Sequence, residues 1–151
     1  MPVRAALGEL YVPPLSPPPA PTTSAGVDAI VPSVLASTAT LYLSWDEAGS
    51  GSTAGAVVGK AKLVQGAAPR IEGLQIIWKQ DPKATGRGHY SHRLLFSPDG
   101  KYLFIGSGER QKFDPAQDMK ANLGKILRLN PDGSIPADNP FADQDGVTAQ
   151  I

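Results

Sequence analysis

Two short glycine-bracketed stretches hold the residue types that do proton chemistry. Gly86-Arg87-Gly88-His89 carries an imidazole, and Gly106-Ser107-Gly108-Glu109-Arg110 carries a carboxylate. A carboxylate across from an imidazole fixes its tautomer and stabilises its protonated form, as a general base requires. Glycines on either side let the backbone turn sharply or come close to another group. From residue type and spacing alone, two readings stand: a general base with its orienting acid, or a solvent-exposed His and Glu at a strand end. A zinc site at His89 and His92 is disfavoured, because residues three apart in a strand point to opposite faces. No cysteine is present and no carboxylate cluster adjoins them.

The two stretches need an element that brings them together, and the residues between them supply it. Ser97-Pro98-Asp99-Gly100-Lys101 is a turn sequence: Pro pre-sets φ, and Asp-Gly tolerates φ near or above zero. It separates Ser91-His92-Arg93-Leu94-Leu95-Phe96 from Tyr102-Leu103-Phe104-Ile105-Gly106, so the whole reads as a tight hairpin. With Asp99 as pivot, Phe96 faces Tyr102, Leu95 faces Leu103 and Leu94 faces Phe104. The same register, carried outward, sets His89 opposite Glu109. Leu94, Phe96, Tyr102 and Phe104 then share one face, and Leu95, Leu103 and Ile105 the other. A hairpin apolar on both faces belongs in stacked sheets.

Gly88-His89-Tyr90, Arg93 to Phe96, Asp99-Gly100, Leu103 to Ile105 and Gly108-Glu109 recur in order with Ala116-Gln117-Asp118, Gly124 to Asn130 and Asp132 to Phe141. This ordered set resembles the soluble PQQ-dependent aldose sugar dehydrogenases of the glucose/sorbosone dehydrogenase family. The resemblance implies an all-β chain that is a fragment, about two blades, of a six-bladed β-propeller. It also implies oxidation of the anomeric hydroxyl of an aldose to the lactone, with hydride transfer to PQQ. His89 would then be the catalytic base and Glu109 its partner. The implied cofactors are PQQ and calcium, their main binding residues lying outside this chain, and the implied partners are the sugar and an external electron acceptor. A periplasmic or secreted location follows from the same resemblance. The match covers about three-quarters of the chain and about a third of a family enzyme, so the piece alone is expected to be inactive and prone to self-association. Where the family has a glycine and a small residue beside the base, this chain has Ser91-His92, a bulkier pair expected to narrow the site or alter substrate fit. The alternative from another class is a non-catalytic propeller-like binding module, which has no need of His89 paired with Glu109.

Composition agrees with an all-β reading and excludes other classes. The 151 residues carry 14 basic and 14 acidic side chains with no basic run, so nothing asks for nucleic acid or an anionic membrane. Zero cysteine removes disulfide and thiol chemistry. No stretch approaches ~20 uninterrupted apolar residues, the length a membrane span needs. The 16 Gly and 15 Pro favour a turn-rich β chain.

Residues 1–38 hold eight of the prolines, including Pro17-Pro18-Pro19, and lack the periodicity to build a core. They read as a disordered segment without family match, and no signal peptide is visible in them. Residues 39–151 read as the partial propeller domain. There, Leu41 to Trp45, Ala54 to Val64, Ile71 to Gln80 and Lys125 to Leu129 have strand composition. Asp114 to Leu123 is expected to hold one short helix capped by Asp114. Asn130-Pro131-Asp132-Gly133-Ser134 lacks the distal acids of a calcium loop and reads as a strand-connecting turn.

Overall fold

The computed structural model describes residues 29–33, 39–65, 68–146 and 148–151. They form two antiparallel sheets. The first runs in chain order through β1 (Ala29–Ser33), β2 (Ala39–Ala48), β3 (Thr53–Val64) and β4 (Arg70–Lys79). The two-residue β5 (Ala84–Thr85) pairs with the start of β3. The second sheet is the meander β6 (Ser91–Phe96), β7 (Leu103–Ser107) and β8 (Lys125–Leu129).

The sheets meet face to face. Tyr42, Ala56, Val58 and Trp78 from the first pack with Leu94, Leu103, Ile105, Leu127 and Leu129 from the second. Each fully buried Leu or Ile contributes ~1.5–3 kcal/mol relative to exposure. The Tyr42 and Phe96 rings meet edge-on, 4.8 Å between centroids. Leu41, Tyr42, Leu43 and Ser44 are buried in succession, as are Ala56, Val57 and Val58. The middle of the first sheet is thus enclosed on both faces. The second sheet alternates, with His92 and Leu94 inward and Ser91, Arg93 and Leu95 outward. This arrangement is all-β, and the stacking is that of consecutive propeller blades.

The hairpin register differs by one residue from the expected one. Phe96 faces Leu103, Leu95 faces Phe104 and Leu94 faces Ile105. The cause lies in the turn. Ser97 Oγ accepts from the Tyr102 amide at 3.0 Å, and Asp99 Oδ1 accepts from the Lys101 amide at 3.2 Å. These side chains draw Lys101 into the loop, which closes with the Ser97 amide on the Tyr102 carbonyl at 2.9 Å. A one-residue slip exchanges faces along the partner strand. Leu94, Phe96, Leu103 and Ile105 therefore share the inner face, while Leu95 is 67% exposed. The hairpin is buried on one face within this chain, not on both.

Two other expectations change. Residues 29–33 of the proline-rich segment form a strand along the edge of β2, because an extended backbone there meets the free donors and acceptors of that edge. The rest of residues 1–28 and 34–38 lie outside the described residues. Asp114 does not cap a helix: Asp114–Ala116 is a single 3-10 turn with Phe113 at its cap position and no side-chain cap. Lys125 Nζ instead takes the carbonyls of Pro115, Ala116 and Leu123 at 2.8–3.0 Å, fixing the segment as a loop. Residues 130–134 are the turn expected, with the Asp132 carboxylate accepting from the Ser134 amide and hydroxyl at 2.9 and 2.6 Å. Among the described residues no helix is long and apolar enough to cross a membrane.

Candidate active site

His89 precedes β6 and Glu109 follows β7, so the open end of the hairpin holds both. Their opposition survives the slip because β6 carries a compensating bulge. Beyond the Arg93–Gly106 pair the next is Ser91–Ser107, which leaves His92 as the extra residue. The bulge sits on β6, at His92. His92 donates its amide to the Tyr90 carbonyl at 3.0 Å, and Ser91 and His92 take φ of 62° and 41°.

His89 Nδ1 lies 2.6 Å from Glu109 Oε1 and 3.2 Å from Oε2. A carboxylate can only accept, so the proton is on Nδ1 and the lone pair of the neutral ring is on Nε2. The imidazole is 59% exposed, which leaves Nε2 open to an incoming group. The hydrogen bond from His89 holds the Glu109 carboxyl below the ordinary glutamate range; slight desolvation opposes it and the Gln111 amide assists it. A fixed tautomer with an accessible Nε2 can take a proton from a hydroxyl.

His89 itself has φ 53°, outside the regions favoured by residues with a Cβ. Such a conformation costs ~1–3 kcal/mol and persists only where the surroundings impose it. They do so here. Gly88 lies against the Gln111 amide, where an added Cβ would be 2.7 Å from Oε1. The Gly108 amide donates to the Tyr90 carbonyl at 3.0 Å, and the Arg110 amide to the His89 carbonyl at 3.3 Å. Gln80, fully buried, donates to Ser107 Oγ at 2.9 Å and the Gly108 carbonyl at 3.0 Å, bracing the strand that presents Glu109. Neither Gln80 nor Arg110 is singled out by sequence reasoning: Arg110 works on backbone carbonyls and Gln80 mostly on backbone groups, which leave no trace in residue types.

His92 does not narrow the site beside His89. Its ring is buried between the sheets, Nδ1 2.9 Å from Ser44 Oγ and Nε2 3.5 Å from Asp46 Oδ1. Ser, His and Asp recur together in hydrolases, but Ser44 is fully buried and no substrate can reach its hydroxyl. Asp118 serves its own loop, accepting from the Lys120 amide at 2.9 Å. Among the described residues no group of three or more His, Cys, Asp or Glu side chains is placed to hold a metal ion.

The sequence signature of the glucose/sorbosone dehydrogenases matches residues 21–151. The chain belongs to this family. The match begins inside the proline-rich segment, ahead of the expected boundary at residue 38. The chain is 35% identical over 126 residues to the aldose sugar dehydrogenase YliI of Escherichia coli (strain K12), covering 83% of this chain and 33% of that protein. A solved glucose dehydrogenase superposes with a TM-score of 0.77 at 34% identity, over 84% of this chain and 37% of the other. The PQQ-bound aldose sugar dehydrogenase of Streptomyces coelicolor gives 0.57 at 26% identity, over 68% and 29%. The chain thus spans about a third of the length of the relatives it matches, and its two sheets are about two blades of a β-propeller.

Proposed function

We propose that this chain is the base-bearing part of a PQQ-dependent aldose dehydrogenase. The observation that carries the reading is the 2.6 Å contact between His89 Nδ1 and Glu109, with the imidazole exposed, in a chain of this family. His89 Nε2 accepts the proton of the anomeric hydroxyl as that carbon is oxidised towards the lactone, and Glu109 stabilises the imidazolium that results.

The described residues fit only this proton-handling half. They hold no carboxylate cluster for calcium. The buried Arg110 spends its guanidinium on backbone carbonyls rather than on the acids of a quinone. Cofactor binding and the external electron acceptor therefore rest on family membership, as does a periplasmic or secreted location.

The test is a chimera in which residues 39–151 replace the matched segment of the Escherichia coli relative. Loaded with PQQ and calcium and given an aldose and a dye acceptor, it should turn over, and His89→Ala should abolish most of that turnover. Turnover unchanged by His89→Ala would return the chain to a binding role.

A further inference from the structure

Arg110 follows Glu109 directly, yet the two side chains go opposite ways. Glu109 meets the His89 ring on the exposed side, while Arg110 turns inward and is 1% exposed. Among the described residues no carboxylate receives its guanidinium. Nε donates to the Gly88 carbonyl at 2.9 Å, Nη2 to the Gly86 carbonyl and Nη1 to the Ala54 carbonyl of β3. The guanidinium carbon also lies 3.6 Å from the centre of the Tyr90 ring, whose hydroxyl donates to the same Gly86 carbonyl at 3.3 Å. A planar fork satisfies several fixed acceptors at once, which an ammonium on a flexible stem cannot do. The residues gripped are those on either side of Arg87 and immediately before His89, and Tyr90 immediately after it. The Ala54 contact ties that grip to the first sheet.

We infer that Arg110 is the positioning residue for His89: it locks the 86–90 loop to the first sheet so that the imidazole keeps its left-handed backbone and its bond to Glu109. This rests on the reading of His89 as the base. The geometry divides the work between neighbours in the chain. Glu109 fixes the ring's tautomer, and Arg110 fixes where the ring is. Because the carbonyls flanking Arg87 are held, the Arg87–Gly88 bond should resist proteases although the Arg87 side chain is exposed.

Two measurements on the full 151-residue chain, with Arg110→Ala and Arg110→Lys, test the hold. Mass spectrometry after brief trypsin treatment should show cleavage after Arg87 rising ~10-fold or more in Arg110→Ala, with cleavage after Lys62 unchanged. The NMR signal of the His89 Nδ1 proton bonded to Glu109 should weaken, while the Trp78 indole proton, bonded to Gln150 at 3.1 Å, reports an intact core. Arg110→Lys should restore the hold only partly. If Arg110→Ala loses the Trp78 signal, Arg110→Lys, which keeps charge and most of the volume, carries the same readouts. In the chimera, Arg110→Ala should lower kcat ~10–100-fold at nearly unchanged KM, a loss carried by the transition state alone. Added to His89→Ala it should cost nothing further, because it acts through that ring.

Unchanged Arg87 cleavage and an unchanged His89 signal would overturn the inference. So would a double variant whose loss is the product of the two single losses. A His89→Ala variant of full activity would instead sink the base reading, and the trypsin result would still decide whether Arg110 holds the loop.

Discussion

Gly108 approaches His89 so closely that a Cβ built on it would lie 1.8 Å from the His89 carbonyl oxygen and 2.6 Å from its carbonyl carbon. No rotamer relieves such a contact, since both partners are backbone or fixed to it. Gly108→Ala must therefore push the two strand ends apart. The expected outcome is a loss of stability of ~1–3 kcal/mol and, in the chimera, a fall in kcat of ~10²-fold or more as His89 leaves Glu109. Thermal melts and steady-state rates check it, and a wild-type kcat would show that the close approach is irrelevant to the site.

Replacing the base gives the sharper functional contrast. His89→Ala should lower kcat of the chimera by ~10²–10⁴-fold with PQQ binding largely kept. Glu109→Gln should cost less, because an amide oxygen still accepts from Nδ1 while the charge that stabilises the imidazolium is gone. Equal losses in the two variants would mean that Glu109 does more than orient the ring.

The opposition of His89 and Glu109 is legible in the sequence only because two offsets cancel. Pro98-Asp99-Gly100 announces a turn, but Ser97 and Asp99 take backbone donors that enlarge it by one residue. The bulge at His92 then takes the residue back. Neither step follows from local preference. The bulge sets the His92 ring against a buried hydroxyl, that of Ser44, forty-eight residues earlier in the chain. Strands such as Lys125–Leu129 could be read off directly from their composition, rich in Ile and Leu and bounded by Gly124 and the Asn130-Pro131 turn. Arg110 could not, since its partners are carbonyls, and every residue has one.

The outer face of the second sheet sets the behaviour of the chain on its own. Leu95 (67% exposed) and Ile126 (71%) stand on that face with the half-buried Phe104. Propeller blades cover such faces with neighbours. The isolated chain is expected to self-associate in sedimentation experiments and to show no enzyme-like sugar oxidation. Leu95→Lys combined with Ile126→Lys should shift it towards monomer without loss of β structure. By contrast Ile105→Ala, on the buried face, should cost ~2–5 kcal/mol wherever the fold is intact. A monomeric wild-type chain would show that this face needs no cover.

The acid titration of Glu109 reads the pair without needing turnover. Its carboxyl is held below the ordinary glutamate value chiefly by the hydrogen bond from His89. A group whose folded pKa is depressed stabilises the fold above its unfolded pKa, ~4.3 for glutamate, and that contribution is lost as pH falls through the lower folded value. The His89–Glu109 contact should therefore persist through neutral and weakly acidic pH and open only below the normal range for glutamate. Carbon NMR of the Glu109 carboxyl should give a midpoint below the ordinary value in the wild type. In His89→Ala the midpoint should rise towards that value, because the largest cause of the depression has been removed. Removing the Gln111 amide bond by backbone ester substitution should raise it less. A Glu109 midpoint unmoved by His89→Ala would show that the two side chains do not share a proton-bearing bond in solution, and with it the argument for a fixed Nδ1 tautomer would fail.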